Sequence, residues 1–252
     1  MIDIHSHVLY GLDDGAATLE DSVAMLRIAA EHGTTDLVAT PHANLHYDYR
    51  PELVRERLAE LAGAAGNGVR LHSGCDFHLS YENIQDAIAD PSRYTINQKC
   101  YLLVEFSDLV VFRNTPDIFA RLQDAGMVPI VTHPERNPLL RQRIEDLARW
   151  VESGTRVQVT AQSLLGTFGR SAQVFCKALL DRQLVHFVAS DAHDCERRPP
   201  ILDGAHAWLS KHYSAAIAES LCVINPRAAL AGDELEETVF VSNARKWYQI
   251  WR

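Results

Sequence analysis

Two histidines one residue apart, His5 and His7, stand in the opening Met-Ile-Asp-Ile-His-Ser-His. Side chains alternate along a strand, so residues two apart leave the same face, and two imidazoles so placed can serve as neighbouring metal ligands. A lone His-x-His carries little weight, because a strand histidine is equally well served by a hydrogen bond in a core. Four later segments add to it: apolar runs from Leu37 to His42, Leu102 to Glu105, Val128 to His133 and Phe187 to His193 each finish on His, Asp or Glu. Imidazole and carboxylate together suit borderline and hard divalent cations, and carboxylates can bridge two ions. The pattern points to a polynuclear metal site.

Such residues meet only if several strands end at one place. Seven short β-rich runs are legible: Ile2 to His5, Asp36 to Ala39, Arg70 to Ser73, Tyr101 to Phe106, Val128 to Thr132, Arg156 to Thr160 and His186 to Ala189. Helical patterns separate most of them. Thr18 with Asp21 resembles a capping box before Ser22 to Glu31, and Gly33 follows as a stop. Thr115-Pro116 opens a helix that stops near Gly126, and Arg141 to Glu152 ends at Gly154. Alternating strand and helix predicts an α/β protein with a parallel sheet, closed or open, whose chemistry gathers at the C-terminal strand ends. Beyond Asn225 the pattern is less regular: Asp233 to Glu237 reads as a solvated acidic patch and Trp247 to Trp251 as a docked terminal helix.

With 252 residues and 47% hydrophobic content, the chain can bury one large core, and a single domain over residues 1–252 is expected. The formal charge of -9 argues against nucleic acid as a partner, which would call for clustered Lys and Arg; bound divalent cations would offset part of it. No run approaches the ~18 apolar residues of a spanning helix, so no membrane insertion is expected. The N-terminus lacks a basic segment followed by an apolar one, and loss of a leader would remove His5 and His7; a cytoplasmic protein is the expectation. Five cysteines, Cys75, Cys100, Cys176, Cys195 and Cys222, contain no Cys-x-x-Cys pair and read as reduced thiols.

Ile4-His5-Ser6-His7 with Asp13-Asp14-Gly15, Thr40-Pro41-His42, His133-Pro134-Glu135-Arg136 and Ser190-Asp191-Ala192-His193, in that order, resemble the polymerase-and-histidinol-phosphatase (PHP) superfamily. The likeness runs from Met1 to about Pro200, and the Arg198-Pro199-Pro200 ending brings it nearest to the bacterial tyrosine-protein phosphatases of capsule and exopolysaccharide clusters. This resemblance implies a distorted (β/α)7 barrel holding three divalent metal ions, with manganese first and zinc, iron or cobalt as alternatives. It assigns His5, His7, Asp76 and Asp191 to the first metal, Asp76, Glu105 and His133 to the second, and Asp14, His42 and His193 to the third. Asp76 departs from the pattern, standing in Ser73-Gly74-Cys75-Asp76-Phe77 where related phosphatases usually show Glu. One methylene shorter, it requires either a backbone nearer the ions or a weaker site.

The reaction so implied is hydrolysis of a phosphate monoester, with water activated on the metals attacking phosphorus in line. Arg136 and Arg198 occupy places where related phosphatases use arginine, and a planar guanidinium can grip phosphate oxygens bidentately; Arg197 competes for the second role. Asp194 is the candidate proton donor, useful but not obligatory for a phenolate leaving group of pKa about 10. Tyr10, Tyr47 and Tyr49 could flank a substrate ring. The implied partner is a phosphotyrosine protein, a bacterial tyrosine kinase that regulates polysaccharide export. A small ester such as histidinol phosphate is the alternative substrate.

Other readings are weaker. A non-catalytic metal module is disfavoured by the full ligand set together with the arginines, and an exonuclease by the acidic balance. Cys176 and Arg182 match the Cys-x5-Arg pattern of thiol-based tyrosine phosphatases, but the segment lacks the glycines of a phosphate loop and continues a helical pattern through Val174, Ala178 and Leu179. His78 reads as pocket lining or surface, and His32, His72, His186, His206 and His212 as ordinary polar residues.

Overall fold

Ile2–Ser6 (β1) is buried along its whole length, a state that requires a sheet covered on both faces. The computed structural model describes residues 1–66 and 68–236, so the segment from Trp247 to Trp251 and Glu237 lie outside the described residues. Among the described residues eight strands follow β1 in chain order: Asp36–Ala39 (β2), His42–Ala43 (β3), Arg70–Ser73 (β4), Asp76–His78 (β5), Tyr101–Glu105 (β6), Val128–Thr132 (β7), Arg156–Thr160 (β8) and Phe187–Ala189 (β9). Every ladder is parallel, in a three-stranded sheet ordered β1-β2-β4 and a six-stranded sheet ordered β3-β5-β6-β7-β8-β9. The fold is mixed α/β with parallel sheets, as the alternation predicts. Between the first and last strands the pairing is a single bridge, Ser6 to Ala192, flanked by Asp191 N donating to His5 O at 2.9 Å and His7 N to Ala192 O at 2.8 Å.

Seven strands are expected from the sequence, and the structure adds β3 and β5. Both are continuations of strands already read, displaced by a break. Pro41 has no N–H to donate and interrupts the run between β2 and β3. Gly74 interrupts the run between β4 and β5, where a Cβ would stand 2.9 Å from Val38 Cγ1 and 3.1 Å from Thr40 Cγ2. Backbone bonds lock the crossing: Gly74 N to Ala39 O at 2.9 Å and Asp76 N to Pro41 O at 3.1 Å. Each break moves the chain from one sheet to the other and delivers one chemistry-bearing residue, His42 on β3 and Asp76 on β5.

A bulge between Asp3 and Ser6 shifts the β1–β2 register, and bulges re-aim the side chains they carry. Side chains replace the lost ladder partners: His5 N donates to Asp3 Oδ1 at 3.4 Å and Ser6 N to Thr40 Oγ1 at 3.1 Å.

Ten helices accompany the strands among the described residues: Leu19–Glu31 (α1), Pro51–Ala65 (α2), Tyr81–Ala89 (α3), Thr115–Asp124 (α4), Ile144–Glu152 (α5), Ala161–Leu165 (α6), Arg170–Asp181 (α7), Asp203–His212 (α8), Ala215–Glu219 (α9) and Asn225–Ala231 (α10). None is long and apolar enough to cross a membrane. The capping box forms as expected, Thr18 and Asp21 each accepting from the other's backbone N–H. The helix expected from Arg141 begins instead at Ile144, after a 3-10 turn at Leu140–Gln142.

Alternation sorts the strand side chains. On β6, Leu102 and Val104 join Phe119, Leu122 and Trp150 of α4 and α5, whereas Tyr101 and Leu103 join Ile4, Val38, Ile130 and Phe187 in a second apolar cluster. A third cluster packs Met25 and Leu26 of α1 and Val54 and Leu61 of α2 against Leu37 of β2. Glu105 is the next residue on the Tyr101–Leu103 face, so the apolar interior gives way to charge at the C-terminal strand ends.

Gly74→Ala is expected to cost about 1–3 kcal/mol, because the added methyl meets Val38 and Thr40 at less than contact distance. Thermal unfolding of metal-stripped protein checks it; an unchanged Tm would show that the crossing has slack.

Candidate metal centre

The strand ends bring together nine residues from across the chain. His5 comes from β1 and His7 from just beyond it, Asp14 from the next turn, His42 from β3, Asp76 from β5, Glu105 from the end of β6, His133 from beyond β7, and Asp191 and His193 from beyond β9. Their donor atoms lie within 4.8 Å of one another in four groups: His5–His7–Asp76, His5–His133–Asp191, His42–Asp76–Glu105 and His7–Asp14–His42–His193. The grouping is not the partition implied by resemblance. His42 sits between two groups, with Nδ1 at 3.2 Å from Asp76 Oδ2 and Nε2 at 3.3 Å from Asp14 Oδ1. His133 groups with His5 and Asp191, and its Nε2 stands 3.7 Å from Glu105 Oε1.

Several of these rings are held by their outer nitrogens. Asp13 Oδ2 accepts from His7 Nδ1 at 2.6 Å, Gln158 Oε1 from His5 Nδ1 at 3.0 Å, and the Asp191 carbonyl from His193 Nδ1 at 3.0 Å. Each acceptor fixes the proton on Nδ1 and leaves the Nε2 lone pair for the centre, the arrangement that orients metal-ligating histidines. The Nε2 atoms of His5 and His7 stand 3.3 Å apart. Asp13 also accepts from His42 N at 3.1 Å and Gly15 N at 3.0 Å, and at Gly15 a Cβ would lie 2.0 Å from His7 O, so only glycine fits this turn.

The donor set fits cations on a further count. Both oxygens of Asp76 and Nδ1 of His42 are buried without a hydrogen-bond partner. An uncompensated buried carboxylate costs several kcal/mol, and compensation here has to come from positive charge. Burial would raise Asp76 and Asp191, but the surrounding imidazoles, with Arg136 beside Asp191, hold both well below the carboxylate range. Burial opposes charge on His42 too, yet the Asp14 and Asp76 carboxylates push it up to about 12. His7 rises to about 9 against burial, through Asp13. Burial and then Arg136 depress His133 to about 3, while burial and then Asp76 lift Glu105 to about 7. Protons on His7 and His42 thus do part of what cations would do. His133 and Asp191 have φ of 31° and 52°, left-handed values that non-glycine residues adopt at a cost of order 1–3 kcal/mol and that cluster at functional sites.

Arg136 and Arg198 converge on the same atom, Asp191 Oδ2, which Arg198 reaches at 2.6 Å. Asp191 Oδ1 faces the other way, 3.4 Å from the Nε2 atoms of both His5 and His7. Phe168 lies under the arginines, its ring centre 4.5 Å from the Arg136 guanidinium and 6.0 Å from that of Arg198. Arg198 Nε is buried without a partner, a free donor at the edge of the cluster. Arg197 lies on the exposed rim and donates its backbone N–H to Asp194.

Some expectations fail on geometry. Asp194 Oδ1 accepts from the backbone N–H groups of Glu196, Arg197 and Arg198 at 2.7, 2.6 and 3.2 Å. Those bonds outweigh burial and hold its pKa below the ordinary carboxylate value, so Asp194 is a loop-shaping anion and the wrong kind of carboxyl to donate a proton. Tyr10 bonds to Glu60 and Arg57 of α2, and Tyr49 donates to Gly74 O at 3.1 Å while stacking on Tyr94. Tyr47 alone of the three meets the cluster, stacked on His42 at 5.8 Å. Cys176 is buried on α7 with its thiol pushed far up by burial, and Arg182 pairs with Glu145 at 2.7 Å, so the thiol pattern is a coincidence of spacing. His78 lines a cavity, as its position suggests.

Sequence reading missed Gln158, Phe168 and Asp3. Asp3 is buried and accepts from Ser190 N at 3.0 Å and Ser190 Oγ at 2.5 Å, pinning the turn that presents Asp191. An acid two residues before His5 on a fully apolar-flanked strand was the available signal for it; Gln158 and Phe168 gave none.

A family model for capsular polysaccharide synthesis, CpsB/CapC, matches residues 1–231. The tyrosine-protein phosphatase YwqE of Bacillus subtilis (strain 168) is 37% identical over 202 residues, 79% of each chain. The tyrosine-protein phosphatase CpsB of Streptococcus pneumoniae is 28% identical over 239 residues, covering 90% of this chain and 97% of its own. A crystal structure from the work on these two proteins, described as unique metal-dependent tyrosine phosphatases, superposes with a TM-score of 0.88 at 32% identity, covering 97% of this chain and 100% of that one. Sequence and backbone agree over nearly the same span, and the chain belongs to the CpsB/CapC family of capsular polysaccharide synthesis proteins.

Proposed function

We propose that this chain is a metal-dependent protein-tyrosine phosphatase of capsule or exopolysaccharide synthesis, dephosphorylating a bacterial tyrosine kinase in the cytoplasm. The observation that carries the reading is the arrangement at Asp191, one carboxylate joining a buried histidine–carboxylate cluster to the guanidinium groups of two arginines. The names of the relatives, tyrosine-protein phosphatases aligned along most of their length, agree with it.

In this reading His5, His7, Asp14, His42, Asp76, Glu105, His133, Asp191 and His193 hold three divalent ions, manganese first among them. When bound, such ions lower the pKa of a water molecule and neutralise charge on the phosphoryl oxygens. Arg136 and Arg198 grip the phosphate oxygens, and Phe168 keeps both guanidinium planes in place. Asp13 and Gln158 hold the imidazoles of His7 and His5 in one tautomer. A phenolate leaves with little need of a proton donor, which suits a site where Asp194 is committed to its own loop. We also propose one domain over the chain, shaped as a distorted (β/α)7 barrel: β2 with β3 and β4 with β5 each count as one bent stave, and the Ser6–Ala192 bridge closes the ring.

Exhaustive chelation is expected to abolish hydrolysis of a phosphotyrosine peptide, and added manganese to restore it, with bound metal counted by elemental analysis. Turnover that survives complete metal removal would end the proposal; preference for histidinol phosphate in direct competition would redirect it to small esters.

Two substitutions should separate ligation from phosphate grip. His133→Ala is expected to lose an ion and at least ~100-fold in kcat, beyond the usual range for outer-shell partners. Arg198→Ala should keep its metals and lose ~10–100-fold in kcat/KM, the worth of a hydrogen bond to a charged group. Wild-type kinetics in Arg198→Ala would remove that residue from the site.

A further inference from the structure

Beside the cluster opens a cavity of about 510 Å³, and Glu105, His133 and Arg136 form part of its lining. That volume lies within the ~300–1,000 Å³ typical of small-molecule sites. The other walls come from Leu45 in the loop after β3, His78 at the end of β5, and Phe106 and Leu109 in the loop after β6. Leu45 and Leu109 are 88% and 90% exposed, and Val110 and Phe112 extend the apolar surface along the same loop. Large apolar side chains left in water at the mouth of an otherwise charged site contribute nothing to the core and mark a place where apolar surface is to be covered.

Both walls are fixed relative to the cluster. Asn137 Nδ2 donates to Phe106 O at 3.2 Å and Ser107 O at 3.0 Å, which ties the loop after β6 to the segment carrying His133 and Arg136. Asn83 Nδ2 donates to Ala43 O at 2.8 Å and His78 O at 3.0 Å, which ties the opposite wall to α3. On the cluster's other flank, a cavity of about 460 Å³ beside His193 is lined by glycine, alanine, acidic residues, Cys195 and Arg197, with no branched or aromatic apolar side chain. The two openings therefore differ in chemistry, and only the first can receive a flat apolar group.

We propose that the cavity between Leu45 and Leu109 is an aryl subsite: it takes the phenyl ring of a phosphotyrosyl side chain, with the phosphate directed toward Arg136 and the Glu105–His133 side of the cluster. This rests on the phosphatase reading above and assigns specificity to residues that touch neither metal nor phosphate. Burial of the ring against the two leucines adds binding energy for aryl esters and none for inorganic phosphate, which ends before it reaches them. Tyr10 and Tyr49 are engaged elsewhere, and Tyr47, stacked on His42, is not part of this cavity's lining.

The test uses the manganese-loaded protein and the variants Leu45→Ser, Leu109→Ser and their combination. Both positions are exposed, so folding should be undisturbed. In the double variant KM for a phosphotyrosine peptide is expected to rise about tenfold, while metal content and the competitive Ki of inorganic phosphate stay at wild-type values. An unchanged KM would overturn the subsite while leaving the phosphatase reading intact. A Ki that rises in step with KM would also overturn it, since the loops would then be shaping the anion site. Manganese-loaded wild-type protein that is inert on the peptide would remove the parent reading, and the subsite with it.

Discussion

Two carboxylates, Asp76 and Asp191, are fully buried at the meeting point of the strand ends, and the rest of the centre is organised around their need for positive charge. Neither can reach water, and Asp76 has no hydrogen-bond donor on either oxygen. Only charge in the immediate neighbourhood can keep them ionised. Imidazoles from β1 and β3 supply part of it, and two arginines supply more at Asp191. A neutral protein surface folded around the same backbone would not tolerate this core. The polar cluster is stable only as an assembly, which is why its members come from every part of the chain.

Delivering those groups required departures from regular structure. The bulge in β1, the breaks at Pro41 and Gly74, and the left-handed backbone of His133 and Asp191 each interrupt a ladder or occupy a costly conformation. Each lies within a few residues of a group that the centre uses. The apolar strand interiors, with Leu103, Ile130 and Phe187 packed below, provide the stability that these departures consume. Regular strands would have carried His42 and Asp76 along the three-stranded sheet and away from Glu105.

The sequence made much of this legible, because the signals were chemical and local. His5, His7, His42, Glu105, His133, Asp191 and His193 sit at the ends of apolar runs, and alternation or run length is enough to place them. Strands β3 and β5 were not legible because two and three residues leave no period to detect. Thr40-Pro41 and Gly74 read as the ends of strands, whereas they are points where the chain changes sheets. Gln158 and Phe168 escaped for a different reason: a glutamine in a strand acquires its role from His5, 153 positions away, and a phenylalanine in a loop from arginines about thirty positions away on either side. Asp194 was overvalued because sequence shows a carboxyl near the site but not the three backbone donors that commit it.

The sharing of Asp191 has a thermodynamic consequence. Its Oδ2 compensates Arg136 and Arg198 at once, and its Oδ1 faces His5 and His7, so charge placed on one side alters the hold on the other. On the proposed metal-dependent reading, a cation held by Asp191 would take up part of the charge that now compensates Arg136 and Arg198. Phe168 lies beside both groups and would hold them at the cluster edge as that balance changed. On the same reading, phosphate at the two arginines would relieve the crowding of positive charge, and linkage would make the coupling between the two halves equal in both directions.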